Sequence, residues 1–161
     1  MRHYLTSDLA TARNDTGRIA YCGPIVVAAI TDYPVSRIEQ EIHTNRADPA
    51  EAESIITGTT TEEVADALAV FGYTLEEVFN YHHLERKQRP TLWHWMQKPR
   101  NAWTHYIIAV HKGKVGHWIC VKGTKMCDTY TDGKWGFACD GPHRGARIME
   151  VFTARRHVGI S

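Results

Sequence analysis

One cysteine of this chain stands where a thiol is easily activated. In AYCGPIVVAAIT, residues 20–31, Cys22 precedes Gly23-Pro24 and the apolar run from Ile25 to Ile30. The first helical turn accepts proline, because its missing N–H would be unpaired there anyway, so the spacing predicts a helix opening at Cys22. No polar residue interrupts the run, which makes the helix apolar on every side and places it in the interior. A thiol at such a helix mouth meets the positive end of the helix dipole and several unpaired N–H groups, and both favour thiolate. That thiolate can attack a carbonyl carbon if an imidazole holds its proton and a carboxylate holds the imidazole.

The second half of the chain offers both partners. If VKGTKM forms a hairpin with Gly123 and Thr124 as its two-residue loop, Lys122 faces Lys125, Cys120 faces Cys127 and Ile119 faces Asp128. His117 then lies diagonal to Asp128, roughly 7–8 Å away at the backbone, within reach of long side chains. Side chains alternate along a strand, so His117, Ile119, Val121, Met126, Asp128 and Tyr130 share one face. The expected roles are Cys22 as nucleophile, His117 as the group that takes the thiol proton and gives it to the leaving amine, and Asp128 as the residue that fixes the imidazole tautomer.

Other chemistry-bearing residues have weaker settings. His43, His82, His83, His94, His105, His111, His143 and His157 are read as surface or packing residues, and Trp93, Trp95 and Trp103 as core or wall. Cys120, Cys127, Cys139 and His143 number enough to ligate zinc, but no close Cys-x-x-Cys pair is present, so neither a metal nor an organic cofactor is expected. Four cysteines in 161 residues are read as free thiols of a reducing compartment.

The elements that must carry these residues are helices first and a sheet afterwards, an α+β plan in a single domain spanning 1–161. Ser36-Arg37-Ile38-Glu39 and Thr60-Thr61-Glu62-Glu63 have the form of helix capping boxes, and Val64, Ala67, Leu68 and Phe71 follow the second at helical spacing before Gly72. TNRADPAEAESIITGT, 44–59, is polar and irregular, and a short helix is predicted from Pro90 in PTLWHWMQ. From Trp103 onward, β-branched and aromatic runs alternate with glycine turns as strands of an antiparallel sheet, and ARIMEVFTA returns a last strand to it.

Nineteen basic and eighteen acidic residues leave a net charge of +1 without a basic stripe, which argues against a nucleic-acid partner. No apolar stretch approaches the ~18 residues that cross a bilayer, and MRHYLTSDLATARND lacks the apolar run of a signal peptide, so no membrane partner is expected and a cytoplasmic location is.

AYCGPIVVAAIT followed by GHWICVKGTKMCDT resembles the papain-like cysteine peptidase superfamily, in particular the double-glycine leader peptidase branch and its small stand-alone relatives, many of them encoded by bacteriophages and prophages. The resemblance implies a nucleophile at the start of a buried central helix packed on a C-terminal antiparallel sheet. It puts the nucleophile on Cys22, the base on His117 and the orienting residue on Asp128. It further implies a peptide or isopeptide substrate, a virion or host protein as a partner, and a bacterial cytoplasmic or virion-associated location. One departure stands out: the branch carries an oxyanion-binding Gln where this chain has Thr16, leaving Asn14 or Thr16 to substitute. Loss of such a donor costs about 100- to 1,000-fold in rate. That departure keeps two alternatives open, a catalytically weak or inactive phage structural or host-interaction protein and a transglutaminase-like acyl transferase. Specificity is expected in residues 44–58 and 80–104.

Overall fold

The computed structural model describes residues 9–46 and 55–157; part of the 44–58 loop, 47–54, lies outside the described residues. Four helices and a six-stranded antiparallel sheet make the expected α+β plan. The helices are α1 (Cys22–Thr31), α2 (Val35–Arg46), α3 (Thr61–Val70) and α4 (Leu92–Met96). The strands are β1 (Tyr73–Asn80), β2 (His105–Lys112), β3 (Val115–Lys122), β4 (Lys125–Cys127), β5 (Gly136–Phe137) and β6 (Ile148–Arg156), in the order β1-β6-β2-β3-β4-β5.

Both faces of the sheet are covered. On one, the apolar α1 lies with α2 and α3 over Ile107, Ala109, Trp118, Cys120, Cys127 and Phe152. On the other, Leu92, Trp95 and Met96 of α4 pack with Ile108, Ile119 and Val151. The β3–β4 hairpin has the expected register, with Lys122 opposite Lys125 and Cys120 opposite Cys127. Gly123, at φ 59°, supplies the positive φ that opens its two-residue turn, while Thr124 is not among the positive-φ residues, the type II′ pattern.

Four expectations need correction. β1 precedes the rest of the sheet, pairing with β6 from Tyr73 opposite Arg156, so helices and strands are not segregated along the chain. Its half-exposed pattern and the pair Glu76-Glu77 hide an edge strand from hydrophobic periodicity. The box predicted at Ser36–Glu39 does not form. α2 begins at Val35, Ser36 gives its N–H and hydroxyl to Asp15, and Glu39 turns inward to an ion pair with Arg18. Helix α4 starts past Pro90, with Thr91 as its cap accepting from the His94 N–H. Trp103, read as core or wall, is 71% exposed. The box at Thr60–Glu63 is present in both directions.

The N-terminal segment is laced to the turn after β4. Ala12 N–H reaches Gly133 O at 2.8 Å, Trp135 Nε1–H reaches Ala10 O at 3.1 Å, and the Thr129 hydroxyl reaches Ala20 O at 2.8 Å. At Gly133, with φ 72°, a side chain would meet the Ala12 carbonyl oxygen at 2.6 Å, so only glycine permits this approach. These links carry the chain from Ala12 to the mouth of α1.

Candidate active site

Helix α1 opens at Cys22 because Pro24 fits its first turn. Its first intrahelical bond runs from Ile25 N–H to Tyr21 O at 3.1 Å, so the Cys22 and Gly23 N–H groups are not used by the helix. The strand register brings His117 to this mouth. Lys112 pairs with Val115 across the β2–β3 turn, so His117 spends its backbone N–H on β2, whereas that of Trp118 points to the other edge, where β4 ends at Cys127. The Cys22 thiol lies at that vacated edge, near enough to the Trp118 and Gly23 backbone N–H groups and to the His117 imidazole for each of them to favour its thiolate.

His117 Nε2 donates to Asp128 Oδ2 at 2.7 Å, which leaves Nδ1 as the ring nitrogen for the thiol. Asp128 is completely buried and caps the short 3-10 turn Thr129–Thr131, its Oδ1 accepting the Thr131 N–H at 3.0 Å. The structure thus brings Cys22, His117 and Asp128 into one line. His143, read as a surface or packing residue, joins them: only 3% exposed, it donates from Nε2 to the same Asp128 Oδ2 at 2.6 Å. No periodicity or motif in GPHRG, 141–145, reports this placement.

The charges follow from these contacts. For Cys22, burial raises the pKa, but the hydrogen bonds from His117 and the Trp118 N–H, with the His117 charge, outweigh it and the thiol is more acidic than usual. Burial opposes the His117 imidazolium, yet the bonds to Asp128 and Cys22 raise its pKa to about 9. Burial likewise opposes the Asp128 carboxylate, and the two imidazole donors bring it down to about 2. Each shift favours the charged form of its group: the thiolate of Cys22, the imidazolium of His117 and the carboxylate of Asp128.

Asn14 and Thr16 sit elsewhere. The Asn14 amide N–H donates to Arg18 O at 2.6 Å, and its Oδ1 accepts the Thr16 hydroxyl at 2.6 Å, closing a turn that does not line the cleft beside Cys22. That cleft, about 820 Å³, is walled by Ile19, Tyr21, Thr57, Val115 and Tyr130, with Lys112 Nζ 3.7 Å from the Tyr130 ring centre.

The four ligands weighed for zinc are dispersed. Cys120 and Cys127 face α1, Cys139 packs with the α4 core, and His143 is on Asp128. Among the described residues, the one close set of potential ligand atoms is His117, Asp128 and His143. Its 2.6–2.7 Å separations are hydrogen-bond lengths. They are shorter than the about 3.3 Å between neighbouring N and O ligands of a tetrahedral zinc.

In its α+β plan the molecule shares its fold with a peptidase domain of known structure. It is similar to the crystal structure of the peptidase domain of Streptococcus ComA, a bi-functional ABC transporter involved in a quorum sensing pathway. The TM-score is 0.51 at 13% identity, over 92% of this chain and 99% of that one. No protein-family profile and no curated protein matches the sequence. Among the described residues no helix is long and apolar enough to cross a membrane.

Proposed function

We propose that this chain is a cysteine peptidase that cleaves a peptide or isopeptide bond through a covalent acyl-enzyme. The observation that carries the reading is the line Cys22, His117 Nε2 and Asp128 Oδ2, with the thiol at a helix mouth and the imidazole held by a buried carboxylate. Cys22 attacks the substrate carbonyl carbon as thiolate. The His117 imidazolium gives its proton to the leaving amine, then accepts one from the water that attacks the thioester, and Asp128 holds the ring through both steps. The N–H of Cys22, unused by α1, is the donor at hand for the oxyanion.

The fold likeness to the ComA peptidase domain supports the peptidase class. The narrower placement in the double-glycine leader peptidase branch, among phage-encoded members with virion or host partners, rests on the two sequence motifs alone. Engagement of the Asn14 amide by Arg18 favours a second reading, a fold kept for binding with weak or no catalysis.

The test is digestion of a peptide library followed by mass spectrometry of the fragments, with native protein, Cys22→Ala and His117→Ala in parallel. Cleavage at a recurring sequence by the native protein, reduced at least 1,000-fold in both variants, is expected. Cleavage that persists in folded Cys22→Ala overturns the reading.

A further inference from the structure

We propose that His143 is a positioning residue of this site, extending the line Cys22–His117–Asp128 by a fourth member that holds the Asp128 carboxylate in place for His117. The inference rests on the peptidase reading above and deepens it.

Two imidazoles share one carboxylate oxygen. Asp128 Oδ2 accepts from His117 Nε2 at 2.7 Å and from His143 Nε2 at 2.6 Å, while Oδ1 accepts from the Thr131 backbone. Three donors on a fully buried carboxylate leave it no freedom to turn about its own axis, and they keep it charged where an unpaired buried carboxylate would take up a proton. Without His143, Oδ2 has one donor, and the plane that it presents to His117 is set only by that ring and by Thr131.

The backbone delivers His143 as firmly as any residue of the triad. Its carbonyl accepts Ala146 N–H at 2.9 Å, and α4 grips the same segment through Trp93 N–H to Arg144 O at 3.0 Å and Leu92 N–H to Ala146 O at 2.9 Å. Its ring lies 4.7 Å from that of His117 and meets Tyr130 edge-on at 5.1 Å. A buried imidazole needs a hydrogen-bond partner, and the one that His143 takes is the oxygen on which His117 depends.

The ionisable groups around this cluster come from several elements. Cys22 lies at the mouth of α1, Cys127 at the end of β4, Tyr130 in the 3-10 turn against both rings, and Lys112 of β2 over the Tyr130 ring. None of the four donates a hydrogen bond to Asp128 among the described contacts.

The readout is the pH window of the Cys22 reaction with iodoacetate, followed by mass spectrometry: the acid limb reports formation of the thiolate, the alkaline limb reports loss of the His117 charge that draws in this anionic reagent, and no substrate is needed. In His143→Ala the Asp128 carboxylate supports the imidazolium less well. The alkaline limb is therefore expected to fall while the acid limb stays, narrowing the window by about one pH unit, the size expected for one hydrogen bond to a buried charge. His143→Gln, whose amide N–H reaches as far as Nε2, is expected to restore the native window. If His143→Ala does not fold, His143→Asn, polar but too short to reach Oδ2, is expected to narrow the window in its place. A native window that is unmoved or widened in the Ala or Asn variant overturns the role of His143 alone. A native protein with no reactive window at Cys22 overturns the peptidase reading and this inference together.

Discussion

Asp128 does more than orient a ring, because a carboxylate buried among three donors makes stability depend on pH. Its folded pKa of about 2 lies below the ordinary 3.8, so its contribution is present above about pH 4 and is lost as pH falls through about 2. Asp128→Asn removes this contribution. At pH 6 the variant is expected to melt below the native protein, and towards pH 2 the two melting temperatures should converge. Parallel curves across that range, by thermal denaturation, would show that the carboxylate is not held by its neighbours. At this scale the sequence was informative where two residues lie on one hairpin: the spacing of His117 and Asp128 about Gly123-Thr124 is fixed by local turn chemistry. It was silent on His143, which reaches Asp128 from a turn beyond β5 whose position depends on α4.

Between elements, a tight fit lies where the mouth of α1 touches the segment before α3. A Cβ on Gly23 would stand 2.1 Å from Thr59 Oγ1 and 2.9 Å from its Cβ, so the residue after Cys22 has no room for a side chain. Alanine is the better helix former, but here overpacking decides, and Gly23→Ala is expected to destabilise by about 1–3 kcal/mol in urea denaturation. Adding Thr59→Ala removes the two nearest atoms and should recover part of the loss; no recovery would mean that the clash is not with Thr59. Legibility follows the same division between local and distant causes. The box at Thr60–Glu63 was readable because both partners lie within four residues. The start of α2 was not, because its cap is Asp15 from another segment, and β1 was not, because Glu76 and Glu77 break the alternation on a half-exposed edge.

Across the whole molecule, depth beneath the helical layer divides three of the four thiols by fate. Cys22 is half-buried and acidic, whereas Cys120 and Cys127 are fully buried beneath α1. Burial pushes the Cys120 thiol well up and, with the Asp128 charge beside it, the Cys127 thiol up to about 12. Labelling of the native protein at neutral pH should therefore modify Cys22 first and leave Cys120 and Cys127 protected until global unfolding, as peptide mapping along a urea series can follow. Modification of Cys120 or Cys127 before the unfolding midpoint would mean that the helical layer lifts from the sheet as a separate unit. The α+β plan was legible from caps, helical spacing and β-branched runs, but not the second apolar layer under α4, since a five-residue helix carries too few positions for a periodicity.

The strand order also sets the tempo at which this molecule can form. Strand β6 is the last of the six in the chain, yet it lies between β1 and β2. Neighbouring strands β2, β3 and β4 can zip together as soon as they exist, whereas Tyr73 must wait for Arg156 before β1 has a hydrogen-bonded neighbour. A growing chain therefore carries an unfinished sheet, with β1 unpaired until β6 has been made. Closing so long a loop makes the final assembly slower than that of a helical bundle, whose contacts are local.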